Sequence, residues 1–70
     1  MSEKKEPLLG LALILLSMEK EEADAKKDGF RYVLEGAMKK LGYNQKQVKR
    51  YLNEKRNSIE LLWQEQNGNN

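Results

Sequence analysis

Residues 8–18 read LLGLALILLSM, and this stretch decides the fold because it is the longest apolar run in the 70-residue chain. A helix that is apolar on every side is normally buried on every side. Pro7 suits the first turn of such a helix, and Glu22 and Lys26 form a favourable i,i+4 pair beyond the run. The sequence therefore predicts a first helix over about 7–27, at the centre of a core or an interface.

The same run resembles a secretion signal or a membrane segment only superficially. Four charged residues, 19–22, follow it at once where a secretion signal would have small residues and a cleavage site. The run is also far shorter than the roughly 20 residues that cross a bilayer. The chain has no cysteine, which fits a reducing compartment. We therefore expect a cytoplasmic protein without membrane attachment.

A second helix is predicted over 29–41, after a break at Asp28 and Gly29, with Asp28 as its N-cap. Gly42 stands where a C-capping glycine is expected. Apolar residues recur with helical spacing through this segment and predict its inward face. They are Phe30, Val33, Leu34, Ala37, Met38 and Leu41.

A third helix is predicted over 44–66, and its start has the strongest local signature in the chain. Asn44 and Gln47 match a capping box, and Tyr43 and Val48 occupy the positions of a hydrophobic staple. The apolar stripe continues to Trp63, but Lys55 falls inside it. The sequence favours one continuous or gently kinked helix, and a break near residue 57 is the alternative. Residues 1–66 are read as one domain and residues 67–70 as a disordered tail.

These segments predict an all-α, three-helix domain that needs further stabilisation. A core of this size supplies only a few kcal/mol, about 3–5, and the chain has neither cysteine nor histidine for a disulfide or a typical zinc site. Two amphipathic helices offer little surface to wrap an apolar third, so we expect a homodimer or larger assembly through helix 1. An ordinary core helix covered by helices 2 and 3 is the alternative. The predicted interface residues are Leu9, Leu13 and Leu16.

Catalysis is not expected. The hydroxyl candidates Ser2, Ser17 and Ser58 have no histidine in the chain to act as their base. No glycine-rich phosphate loop is present either. We therefore expect no enzyme activity and no cofactor.

One segment partly matches a calcium-binding loop. Asp24, Asp28, Gly29 and Glu35 stand at positions 1, 5, 6 and 12 of that pattern. Lys26, however, puts an ammonium group at position 3, where an oxygen ligand is required. A helix cap and turn is the preferred interpretation, and no metal site is predicted.

Residues 34–51, LEGAMKKLGYNQKQVKRY, resemble a helix-turn-helix, with a glycine-containing turn between two helices. Eight basic residues but only two acidic residues lie between positions 29 and 56. On a helical wheel, the polar side of helix 3 gathers basic and amide side chains that can contact phosphates and base edges. The predicted DNA-binding residues are Gln45, Lys46, Lys49, Arg50, Asn53 and Arg56. The alternative is an adaptor or inhibitor that binds an acidic protein without nucleic acid.

Overall fold

The computed structural model describes residues 7–67 and confirms the all-helical prediction, but with four helices in place of three. In chain order they are α1 (Pro7–Lys20), α2 (Asp24–Leu41), α3 (Gln45–Glu54) and α4 (Arg56–Asn67). Residues 1–6 and 68–70 lie outside the described range, so most of the predicted tail does as well. The apolar run of residues 8–18 falls entirely within α1.

The core is built around α1, which packs against each of the other three helices. Four of its residues are buried, and every residue from 11 to 18 is at least partly buried. The rest of the core comes from Leu34 and Met38 of α2, Val48 and Leu52 of α3, and Ile59 of α4. The other three helices therefore cover most of the apolar surface of α1. Among residues 7–66, no polar or charged residue is buried.

The predicted boundary between helices 1 and 2 was wrong. The structure ends α1 at Lys20, soon after the apolar run, and starts α2 at Asp24. The Glu21 carboxylate accepts a hydrogen bond from the backbone N–H of Ala23 at 3.1 Å and satisfies that group in the connecting segment. The early turn lets Leu34 and Met38 pack back against α1, whereas a helix extended to residue 27 would carry a polar segment into solvent. Asp28 and Gly29 lie inside α2, so they neither cap a helix nor form a turn.

The predicted inward face of helix 2 was partly wrong as well. Leu34 and Met38 are buried, and Phe30 and Ala37 are partly buried. Val33, however, is 53% exposed and Leu41 is 48% exposed. Because α2 packs mainly against a single helix, α1, only a narrow strip of its surface is covered.

The connection between α2 and α3 follows the sequence prediction closely. Gly42 adopts a left-handed conformation with φ of 83°, and its N–H donates to the Met38 carbonyl. Asn44 and Gln47 form both hydrogen bonds of a capping box, each 2.9 Å long. Glycine is favoured at Gly42 because it has no Cβ to clash in the left-handed region. The capping box and the C-capping glycine are confirmed.

The predicted third helix is divided at Lys55. The Lys55 N–H donates to the Tyr51 carbonyl in α3, and the Lys55 carbonyl accepts from the Ile59 N–H in α4. A continuous helix would place Lys55 within the apolar stripe. The interruption leaves Lys55 exposed while Leu52 and Ile59 on either side are both 1% exposed.

Polar contacts join α4 to the end of α1. The indole N–H of Trp63 donates to the Ser17 hydroxyl at 2.9 Å, and the Lys20 ammonium lies 5.1 Å from the centre of the Trp63 ring. Within the described part of the chain, no helix is long and apolar enough to cross a membrane.

Candidate nucleic-acid interface

The polar side of α3 is held toward solvent by two buried residues on its opposite side. Val48 is 0% exposed and Leu52 is 1% exposed, so together they fix the rotation of this ten-residue helix. The capping box fixes its first turn. Five predicted DNA-binding residues are consequently exposed on α3. They are Gln45, Lys46, Lys49, Arg50 and Asn53.

The three cations of this helix are open to an external anion. Among the described residues, no carboxylate lies within ion-pair distance of Lys46, Lys49 or Arg50. The one acidic residue of α3 is Glu54, one turn after Arg50 at the end of the helix. The beginning and middle of α3 therefore carry uncompensated positive charge. We call Lys46, Lys49 and Arg50 the basic surface.

Arg56 lies in a different environment from the basic surface. Its guanidinium is 3.4 Å from a Glu19 carboxylate oxygen and 3.7 Å from a Glu60 carboxylate oxygen, and it donates to the Asn53 amide oxygen at 3.2 Å. Lys20 also contacts Glu60, at 3.6 Å. Two cations thus meet two carboxylates, and the cluster is neutral. The structure does not present Arg56 as a free cation beside the other predicted residues.

Arg50 borders two shallow depressions. One, of about 100 Å³, is lined by Asn44, Lys46, Gln47 and Arg50. The other, of about 190 Å³, is lined by Gln47, Arg50, Glu54 and the partly buried Leu8 and Tyr51. Arg50 therefore lies between a polar, basic region and a mixed one, in which Leu8 and Tyr51 lie beside the Glu54 side chain. Such a site can pair with an anion while an adjacent group rests on Leu8 and Tyr51.

The partial calcium pattern lies along a helix. Asp24, Asp28, Gly29 and Glu35 all belong to α2, which runs without interruption through them. A twelve-residue loop cannot form there, because its ligands would have to wrap around one ion. Among residues 7–67, no cluster of three or more acidic side chains is suited to hold a metal ion.

The three predicted interface residues of helix 1 differ in how deeply they are buried. Leu16 is 1% exposed and lies inside the core of its own chain. Leu9 and Leu13 are partly buried and pack against the same core. Of the three predicted interface residues, Leu9 and Leu13 therefore have the surface that a dimer through α1 could use, and Leu16 does not.

Sequence reasoning missed two features. Individual charges in the sequence do not reveal the cluster of Glu19, Lys20, Arg56 and Glu60, because its members come from helices that meet only in the folded chain. The exposed Tyr32 could have been found, since it lies on the helical wheel opposite the apolar stripe of its own helix.

Comparison with protein-family models, curated proteins and solved structures found no match.

Proposed function

We propose that this chain is a non-enzymatic DNA-binding protein that contacts the duplex with α3 and self-associates to present two such helices. One observation carries the proposal. Three exposed cations, with no carboxylate partner among the described residues, lie on a capped helix whose opposite side is anchored in the core. Affinity for nucleic acid comes mainly from cations that neutralise phosphates. A rigid helix holds such cations in a fixed arrangement.

The residues of α3 have separate roles in this proposal. Lys46 and Lys49 neutralise phosphates, and Arg50 contacts either a phosphate or a base edge, for which its planar guanidinium is suited. Gln45 can form hydrogen bonds to bases, and so can the amide NH₂ of Asn53, whose oxygen accepts from Arg56. Arg56 stays in its neutral cluster and supports α4. The resemblance of the sequence of residues 34–51 to a helix-turn-helix supports this assignment.

An acidic partner protein is the second candidate, and the depression beside Arg50 favours it. A peptide with a carboxylate next to an apolar side chain could pair with Arg50 and rest on Leu8 and Tyr51. This binding mode would use the same basic surface without nucleic acid.

A titration of fluorescent duplex DNA of mixed sequence, followed by anisotropy at moderate salt, tests the proposal. We expect the wild type to bind and the triple variant Lys46→Ala/Lys49→Ala/Arg50→Ala to lose most of its affinity. Arg31→Ala is the control, because it removes an exposed cation from α2, where Arg31 pairs with Asp28 at 3.6 Å. Its affinity should stay near that of the wild type.

Two results would contradict the DNA proposal. One is the absence of a complex at tens of micromolar protein, the concentration range of ordinary non-specific DNA binding, about 10⁻⁴–10⁻⁶ M. The other is an equal loss of affinity in the triple variant and the control. In the first case, retention of an acidic peptide by the wild type but not by the triple variant would favour the partner-protein alternative.

A further inference from the structure

The outer side of α2 carries an apolar surface that the described helices leave open to solvent. Leu34 and Met38 attach α2 to α1, and the opposite side of the helix faces outward. Tyr32 on that side is 81% exposed, and the neighbouring Val33 is 53% exposed. We take these two exposed apolar side chains as the apolar part of a contact surface whose other exposed residues are charged.

A groove lies beside Tyr32. It is an open depression of about 450 Å³ on the surface of α2, and its lining residues are Tyr32, Val33, Glu35, Gly36, Ala37 and Lys39. A cavity of about 150 Å³ can hold a benzene molecule, so this groove has room for an aromatic side chain. Gly36 contributes no side chain, and that leaves the groove open.

The fold of a single chain does not require glycine at position 36, nor at Gly10 or Gly29, and of these three only Gly36 lines the groove beside Tyr32. Gly36 lies within α2 without a positive φ, and a Cβ added there would meet nothing within 4 Å. Glycine inside a helix is less favourable than most residues because it loses more backbone entropy on folding. A partner side chain in the groove supplies a reason for the missing side chain.

Charges beside the groove indicate which partner fits it. Asp28 lies toward the N-terminal end of α2 and Lys39 toward its C-terminal end, and both are exposed. Helical spacing places both on the same face of the helix as Tyr32, and Asp28 also pairs with Arg31 of its own helix at 3.6 Å. If two copies of α2 lie antiparallel, Asp28 of each copy faces Lys39 of the other. A parallel pair would place like charges together. The antiparallel arrangement also places the positive end of each helix dipole beside the negative end of the other, which is favourable.

We propose that a second copy of this chain docks antiparallel on the outer face of α2, with Tyr32 of each copy in the groove at Gly36 of the other. The contact is self-complementary, as a two-fold symmetric interface must be. This inference rests on the self-association in the proposed function and assigns its surface to α2 rather than α1. It does not depend on DNA binding, because the interface shares no residue with the basic surface.

Sedimentation without DNA tests the proposal, with concentrations from about one to several hundred micromolar spanning dimers of weak to moderate affinity. The wild type should approach twice the monomer mass of 8.2 kDa as concentration rises. Gly36→Gln should fill the groove and keep the protein monomeric. The control is Gly10→Gln, since Gly10 is also exposed with open space around it but lies on α1. This variant should dimerise like the wild type.

Folding of Gly36→Gln is checked independently by its melting temperature at low concentration. We expect that temperature to rise, because glutamine is the better helix former and position 36 has room for it. A wild type that stays monomeric throughout the range would overturn the proposal. So would a Gly36→Gln variant that still dimerises.

A charge exchange tests the orientation of the two copies. Asp28→Lys and Lys39→Glu should each weaken the dimer several-fold, because each places two pairs of like charges across an antiparallel interface. The double variant Asp28→Lys/Lys39→Glu restores opposite charges and should recover dimerisation. A double variant as weak as either single variant would overturn the antiparallel arrangement.

Discussion

At the scale of single residues, Leu16 and Leu61 are chemically identical side chains that differ in solvent exposure. Leu16 is 1% exposed in the core, whereas Leu61 is 63% exposed on α4. Leu16→Ala should lower the free energy of unfolding by about 2–5 kcal/mol, because it removes buried apolar contacts and leaves a cavity. A loss of this size is comparable to the whole stability expected of so small a core.

Urea denaturation of both alanine variants provides the measurement. Leu61→Ala is the matched control and should change the free energy of unfolding by no more than about 0.5 kcal/mol. Equal losses in the two variants would mean that Leu16 does not lie in the core of the chain.

The contact between Trp63 and Ser17 gives a second prediction at this scale. Trp63→Phe removes the indole N–H that donates to the Ser17 hydroxyl and weakens the interaction of Lys20 with the ring. We expect a loss of about 1–2 kcal/mol in the free energy of unfolding from these two terms. A double-mutant cycle with Ser17→Ala isolates the hydrogen bond. If the effects of Trp63→Phe and Ser17→Ala are simply additive, the two side chains do not interact.

At the scale of the helices, two glycines should respond in opposite directions to the same substitution. Gly42 has a φ of 83°, whereas Gly10 lies in α1 with open space around it. Gly42→Ala should destabilise the protein by about 1–2 kcal/mol because a Cβ is disfavoured in the left-handed region. Gly10→Ala should stabilise it by about 0.5–1 kcal/mol through helix propensity. Thermal unfolding monitored by circular dichroism measures both, and a stabilising Gly42→Ala would contradict the described turn.

Features that depend on neighbouring residues in the chain could be predicted from the sequence. The capping box of Asn44 and Gln47 and the C-cap at Gly42 are local hydrogen-bond patterns, and the structure contains both. The buried character of residues 11–18 follows from their composition alone. Exposure of the basic side of α3 follows from the amphipathic period around Val48 and Leu52.

Features that depend on tertiary packing could not be predicted in the same way. Asp28 and Gly29 look like a break by local preference, yet α2 continues through them because its inward residues must line up along α1. α3 ends at Lys55 although Leu52 and Ile59, which are both buried, would share one face of a continuous helix. To predict the ion pairs of Arg56 with Glu19 and Glu60, one must know that α1 and α4 are neighbours. Where contacts between helices decide the outcome, local propensity is not sufficient to predict it.

At the scale of the whole molecule, the formal net charge of +2 hides an uneven distribution. The cations near the end of α1 and the start of α4 are compensated by Glu19 and Glu60. Those of α3 have no such partners among the described residues. A small net charge is therefore compatible with one surface that attracts polyanions. This surface is the basis of the proposed function.

The salt dependence of duplex DNA binding tests the central claim most directly. If Lys46, Lys49 and Arg50 each neutralise one phosphate, the logarithm of the binding constant should fall against the logarithm of salt concentration with a slope of about −2.7 per chain, since each phosphate contributes about −0.9. Lys49→Ala should reduce the steepness by about one unit and weaken binding to all sequences alike. A slope near zero, or one that Lys49→Ala leaves unchanged, would contradict DNA binding by α3.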